Sequence, residues 1–185
     1  MYHRRPGAGR VWALLPAPRP VSRRWALLPL RLVAGAGFVS HGWAKWERGP
    51  AGFARLLEQI GMPFPAVSAW LLTLLEVFGG LALLAGALVA VVSIPLAVSM
   101  LVAMFTVHLR YGFSSINTIG LGPEGPVFGP PGYEINLLYI GALLALALAG
   151  PTAWSVDGWR RGRRLKEGGS SGWALACGAT ARRPW

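Results

Sequence analysis

The sequence has few of the residues on which enzyme active sites usually depend: one cysteine, three histidines and seven acidic residues in 185. The lone Cys177 excludes an internal disulfide, a CxxC redox pair and a cysteine-based metal site, so we expect no bound metal. The sequence also lacks a Walker A loop, an HExxH pair, a nucleophile elbow and a GxGxxG turn that joins a strand to a helix. A self-contained NTPase or hydrolase is therefore not predicted.

Apolar residues are abundant, at 54% of the chain, and they are gathered into long blocks. From Phe64 to Leu109 the only charged side chain is Glu76, and at about 1.5 Å per helical residue this run exceeds twice a hydrocarbon core of roughly 30 Å. We therefore predict two crossings here, with a turn near residues 85–87. Pro95 lies inside the second crossing and is expected to kink it.

These blocks predict an all-α, integral-membrane four-helix bundle. The spans are expected at about residues 25–44, 66–84, 88–108 and 134–149, inside a transmembrane domain of residues 25–158. We expect the first span to be a retained signal anchor. Residues 1–24 are predicted to be a basic, Arg/Pro-rich disordered tail, and residues 159–185 a basic, largely disordered tail.

The formal charge of +11 would suit a nucleic-acid binder, but its position along the chain argues otherwise. Most basic residues flank the apolar domain: Arg4, Arg5, Arg10, Arg19, Arg23, Arg24, Arg160, Arg161, Arg163, Arg164, Lys166, Arg182 and Arg183. Such residues mark the cytoplasmic side of membrane spans and lie against anionic lipid. We therefore predict cytoplasmic termini, a bacterial inner-membrane location and no nucleic-acid partner. Arg31, just inside this boundary, is expected to snorkel.

The two long connections, residues 45–63 and 110–133, are then expected to face outward. The second is rich in glycine and proline, which fits either an ordered lid or a flexible strap. Glu76 lies mid-span, where a charge costs roughly 2.5–3.5 kcal/mol, so it should be protonated or paired with a basic group of a neighbouring helix. Gly80 on the same face would let another backbone approach.

Four further polar side chains lie at the predicted outer helix ends. His41 and Lys45, four residues apart, are expected to share one face with Gly37, His108 ends the third span, and Glu134 begins the fourth. With Glu76 as its floor, about 15 Å deep at helical rise, these groups predict one pocket open to the outer leaflet. The candidate cofactor-binding residues are His41, Lys45, Glu76, His108 and Glu134, and the candidate catalytic residues are Glu76 and His41.

Each of these residues also has a structural interpretation, which the sequence leaves open. Lys45 could snorkel, His108 could cap a helix, Glu134 could favour a helix dipole and Glu76 could belong to a buried pair. The pocket chemistry suits a quinone, whose carbonyl needs a hydrogen-bond donor and whose reduction needs protons. A bis-His haem on His41 and His108 is weakly signalled, so haem is not expected.

In the order and spacing of its polar and small residues, the chain resembles the DoxX family over about residues 25–158. The positions that carry the resemblance are Arg31, Phe38, His41, Gly42, Lys45, Gly61, Pro63, Glu76, Gly79, Gly80, Met100, Ala103, His108, Gly112, Phe113, Glu134, Gly150, Pro151, Ser155 and Asp157. The resemblance implies a four-helix membrane fold and kinship with thiosulfate:quinone oxidoreductase subunits and a terminal quinol oxidase. It also implies kinship with a mycobacterial member that assembles with superoxide dismutase and a sulfurtransferase. The chain departs from the family pattern in its longer 110–133 loop and in lacking a basic residue between spans two and three.

We therefore expect a membrane subunit of a quinone-linked or thiol-stress redox complex. Because the chain has no flavin, metal or thiol site of its own, any oxidoreductase activity would depend on a partner protein that supplies electrons. The alternative is a non-catalytic membrane scaffold or assembly protein; a small-solute or lipid carrier has less support, because no inverted repeat is evident. A homo-oligomer is compatible with the pattern.

Overall fold

The computed structural model describes residues 24–165. The predictions for residues 1–23 and 166–185, including the tail that carries Cys177, fall outside this range. Within it, residues 156–165 are helical. The described part of the predicted C-terminal tail is therefore a helix, which differs from the disorder expected from residue 159 onward.

Besides the helix of residues 156–165, five helices form most of the described chain: α1 Leu28–Glu47, α2 Pro50–Gln59, α3 Pro65–Ala85, α4 Val89–Ala103 and α5 Glu134–Ala149. A π-helical turn, Met104–His108, and a 3-10 turn, Leu109–Tyr111, extend α4. The four longest helices begin and end within a few residues of the predicted spans. The short α2 was not predicted, since its residues were assigned to an outward loop.

Two of these helical segments are long and apolar enough to cross a membrane, Pro65–Ala85 and Val89–Tyr111. They meet at the predicted turn, where Gly86 adopts the left-handed conformation (φ 66°) that ends α3. The Ala87 amide donates to the Ala82 carbonyl at 2.9 Å, the bond that closes such a helix end. Pro95 lies within α4 without ending it.

The 110–133 connection contains an antiparallel hairpin, β1 Thr118–Gly122 with β2 Gly125–Phe128. The all-α prediction is wrong for this segment, because an alternating run closed by a two-residue turn pairs with itself. Backbone amides fasten the base of the hairpin to the start of α5: Gly132 donates to Ser114 at 2.9 Å and Glu134 donates to Phe113 at 2.9 Å. The 110–133 connection, which we call the hairpin strap, is thus ordered.

The helices pack with α1 against α3 and α4 against α5, and α3 also contacts α4. The core is formed by Phe38, Leu83, Leu96, Leu143 and Leu146. Polar side chains are buried beside it, whereas large apolar side chains cover the outside: Val33, Leu71, Phe78, Ile94, Phe105 and Leu148. A polar interior under an apolar exterior is typical of helices that face lipid.

Candidate functional site

One long contact between α1 and α3, which we call the α1–α3 seam, organises the buried polar groups. Its residues recur at spacings of four and three, so that they lie along one face of each helix. On α1 they are Arg31, Gly35, Phe38, Gly42 and Lys45, and on α3 they are Ala69, Thr73, Glu76, Gly80 and Leu83. The two cations lie near opposite ends of the α1 face.

Glycines bring the two backbones of the α1–α3 seam into contact. A Cβ added to Gly80 would lie 2.8 Å from the Gly35 carbonyl oxygen, and one added to Gly35 would lie 3.0 Å from the Gly80 oxygen. A Cβ on Gly42 would lie 2.8 Å from the Val77 amide nitrogen. A larger side chain at any of these positions would force the helices apart.

Lys45 and Glu76 form an ion pair across the α1–α3 seam. The Glu76 side chain is only 3% exposed and that of Lys45 is 23% exposed, so the glutamate is enclosed by the protein and the lysine only partly. The Phe53 ring of α2 lies over the pair, with Lys45 Nζ 5.0 Å from its centroid. Glu76 was expected to be either protonated or paired with a basic group of a neighbouring helix, and it is paired with Lys45 of α1.

His41 and Lys45 contact different helices. Four residues advance a helix by about 400°, and the offset of about 40° is enough here to place His41 beside α5, where its ring centroid lies 6.3 Å from that of Tyr139. Gly37 leaves room for the Tyr139 hydroxyl, because a Cβ there would overlap it. The sequence predicts that His41, Lys45 and Gly37 share one face; in the structure Lys45 contacts α3 and the other two contact α5.

His108 and Glu134 both hold the hairpin strap. His108 Nδ1 lies 2.9 Å from the Pro131 carbonyl oxygen, and Glu134 Oε2 accepts the Ser115 amide at 2.9 Å. The Ser115 hydroxyl in turn accepts the Ile135 amide at 3.1 Å. The structural interpretation of Glu134, as a group at a helix N-terminus, matches this geometry.

The five predicted residues therefore do not converge in the way expected. Of the four cavities described for residues 24–165, one has Glu134 in its wall and none has His41, Lys45, Glu76 or His108. Of the five, only Lys45 and Glu76 contact each other. Phe53 and Tyr139 could not be predicted as neighbours of these residues, because Phe53 lies in a segment expected to be a loop and Tyr139 is one aromatic ring in an apolar helix.

Arg31 also differs from its expected position. It is 2% exposed instead of snorkelling to the interface. Its guanidinium donates to the Thr152 hydroxyl at 2.6 Å and to the carbonyls of Ala153 and Trp154 at 3.2 and 3.0 Å, with a longer 3.4 Å bond to Leu84. Arg31 thus joins α1 to the end of α3 and to the turn after α5, a role that its sequence position does not indicate.

Comparisons with known proteins bear on the family of the chain. The family model of DoxX matches residues 26–109. The chain is 32% identical over 162 residues to the uncharacterized membrane protein Rv3486 of Mycobacterium tuberculosis (strain ATCC 25618 / H37Rv), an alignment that covers 83% of this chain and 86% of that protein. The chain belongs to the DoxX family. A second relative, inner membrane protein YqjF of Escherichia coli (strain K12), is 30% identical over 131 residues, which cover 71% of this chain and 88% of YqjF.

The DoxX assignment confirms the family resemblance and a membrane location. No solved structure is significantly similar to the chain. The DoxX match includes both halves of the α1–α3 seam and its ion pair, but it ends before the hairpin strap and Glu134. Among the predicted site residues, His41, Lys45, Glu76 and His108 therefore lie in the matched region.

Proposed function

We propose that all four long helices of this DoxX protein cross the membrane. Tryptophans support this for α1: Trp25 stacks edge-on with Trp154 at one end (5.1 Å between centroids), and Trp46 with Trp70 at the other (5.9 Å). The distance from Trp25 to Trp46 along a helix is roughly 31 Å at 1.5 Å per residue, close to a hydrocarbon thickness of about 30 Å. Tryptophans concentrate at both membrane interfaces.

The modest apolarity of α1 is compatible with crossing, because Arg31 and Lys45 face the protein interior and not lipid. The 16 residues of α5 span about 24 Å, which a locally thinner bilayer or polar flanking groups accommodate. Glu134, the only charged residue of α5, lies at its first position.

Four crossings put both termini on one side, and the arginine-rich tails favour the cytoplasmic side of the inner membrane. The name of YqjF, an inner membrane protein, supports that membrane. Alkaline phosphatase fused within the hairpin turn at Glu124 should be active, and phosphatase fused after Leu165 should be inactive. The reverse pattern would refute the orientation.

We infer that this chain functions as a membrane scaffold subunit whose buried charges hold its helices in register. The observation that carries this function is the Lys45–Glu76 pair, enclosed in a glycine-packed seam. Arg31 at the other end of the α1–α3 seam likewise has four oxygen acceptors. Charges used in this way fix which helices pair and in which register.

A redox subunit is the second candidate, and the partial exposure of Lys45 favours it. The Lys45 ammonium, on a side chain that is 23% exposed, can donate a hydrogen bond to a quinone carbonyl and then its proton to the reduced oxygen, and the carboxylate of Glu76 can relay a proton back to the lysine. Electrons would come from a partner protein. His41, exposed beside Tyr139, is a further donor near the outer end.

One experiment separates the two functions. The chain is extracted gently with its partners, the co-purifying proteins are identified, and reduction of a soluble quinone analogue by thiosulfate is followed together with the absorption spectrum. The double variant Lys45→Met/Glu76→Leu replaces the pair by apolar groups, and Gly141→Ala, with open space around its Cβ, is the control outside the α1–α3 seam.

A scaffold predicts that the double variant, if it accumulates, keeps the co-purifying proteins and that no quinone reduction depends on the pair. Quinone reduction that the double variant abolishes, with partners retained, would instead establish the redox function.

A further inference from the structure

A cleft of about 710 Å³ opens at the end of the molecule opposite the Lys45–Glu76 pair. It lies between the start of α1, the turn after α5 and the helix of residues 156–165. Its walls carry two cations and several apolar or small residues, among them Arg24, Leu27, Ala149, Thr152, Arg161 and Leu165. Neither the α1–α3 seam nor the proposed function uses this cleft.

Hydrogen bonds hold the walls of the cleft in place. The Ala153 amide donates to the Arg24 carbonyl at 3.1 Å, which joins the start of α1 to the turn after α5. The buried Arg31 holds the same turn through the Thr152 hydroxyl at 2.6 Å. The cleft therefore needs little rearrangement to accept a ligand.

The charges of the cleft call for an anion. Arg24 and Arg161 have exposed side chains, and neither forms an ion pair with any residue in the range 24–165. Guanidinium groups bind phosphate oxygens in bidentate geometry. The apolar Leu27 and Leu165 beside them would suit a ligand that is part charged and part hydrocarbon.

The depth of the cleft indicates where such a ligand comes from. Trp25 and Trp154 stack edge-on next to the cleft residues, and Trp159 lies beneath the Arg163 guanidinium at 4.3 Å. Tryptophan and arginine side chains together mark the headgroup layer of a membrane. Basic pockets between helices at this level bind anionic lipid headgroups.

We propose that the cleft binds the phosphate headgroup of an anionic phospholipid, with Arg24 and Arg161 on the phosphate and Leu27 and Leu165 against the glycerol and first methylenes. The site is independent of whether the chain is a scaffold or a redox subunit. It fastens the start of α1 and the helix after α5 to one leaflet through a single lipid.

Native mass spectrometry of the full-length protein in detergent tests this site, with phosphatidylglycerol and phosphatidylcholine as probes. Wild type should retain phosphatidylglycerol in preference to phosphatidylcholine. Arg24→Gln/Arg161→Gln should weaken phosphatidylglycerol binding at least about tenfold, or about 1.4 kcal/mol. The matched control Arg160→Gln/Arg164→Gln removes the same charge from the same end of the molecule but outside the cleft walls, and should change binding less than twofold.

Equal weakening in the cleft and control variants would mean diffuse attraction to basic residues and would overturn the site. Equal retention of the two lipids by wild type would overturn it as well. Displacement of phosphatidylglycerol by millimolar inorganic phosphate would identify free phosphate as the ligand and refute the lipid. If the double variant unfolds, Arg161→Gln alone, on an exposed helix surface, must still weaken binding by severalfold.

Discussion

Removing Lys45 should destabilise the protein more than removing Glu76. In Lys45→Met the carboxylate of Glu76, 3% exposed, loses its partner and has no route to water. In Glu76→Gln the Lys45 side chain, which is 23% exposed, can turn its ammonium outward on its flexible stem. The two variants break the same ion pair, but only the first leaves a charge trapped in the interior.

The larger loss is that of a buried charge left without its partner. Removing one member of a buried ion pair costs about 3–5 kcal/mol, so Lys45→Met should lose about 3 kcal/mol. Glu76→Gln should lose about 1.5 kcal/mol, the value of one hydrogen bond to a charged group. The double variant leaves no charge behind and should lose about 2 kcal/mol, well below the sum of the two.

Thermal unfolding of the purified variants in one detergent measures these losses. Equal losses in the two single variants, or losses that add in the double variant, would refute the interpretation of the pair.

Two further pairs of variants test the packing and the hydrogen bonds of the α1–α3 seam by the same unfolding measurement. Gly80→Ala should cost about 1–3 kcal/mol because the new Cβ meets the α1 backbone, whereas Gly141→Ala, which has open space around its Cβ on α5, should be neutral or stabilise by up to about 1 kcal/mol; equal effects would contradict the close approach. Arg31→Met should cost about 2–3 kcal/mol by leaving its oxygen acceptors unpaired, and Arg31→Lys should recover only part of this, because an ammonium cannot reach acceptors so widely spread. A fully stable Arg31→Lys would contradict that account.

The long helices were predictable because a long apolar run indicates such a helix without any knowledge of tertiary contacts. The turn at Gly86 and the start of α5 at Glu134 were predicted for the same reason: a glycine or a charge interrupts an otherwise unbroken apolar run. α2 was missed because its ten residues mix apolar and charged side chains at low mean hydropathy. Its amphipathic pattern is a signal, but a short one.

The site was harder to predict than the fold, since it depends on which helix each face meets. The depth of Glu76 and its need for a cation followed from the cost of a mid-span charge, and Lys45 supplies that cation. The offset of about 40° between His41 and Lys45 sends them to different helices. The spacing of residues along one helix does not show which of them contact one neighbouring helix and which contact the next.

The charges of α1 make it less apolar than α3 and α4, and their position is compatible with the proposed crossing. Arg31 and Lys45 both lie on the face toward α3, where Leu84 and Glu76 of α3 supply an oxygen to each. In a membrane and without α3, neither cation would have that acceptor, and each would cost roughly 2.5–3.5 kcal/mol at mid-membrane depth, less near an interface. In the proposed four-crossing arrangement, α1 therefore gains much of its stability from α3, and the glycines of the α1–α3 seam let the two helices approach closely enough for these contacts.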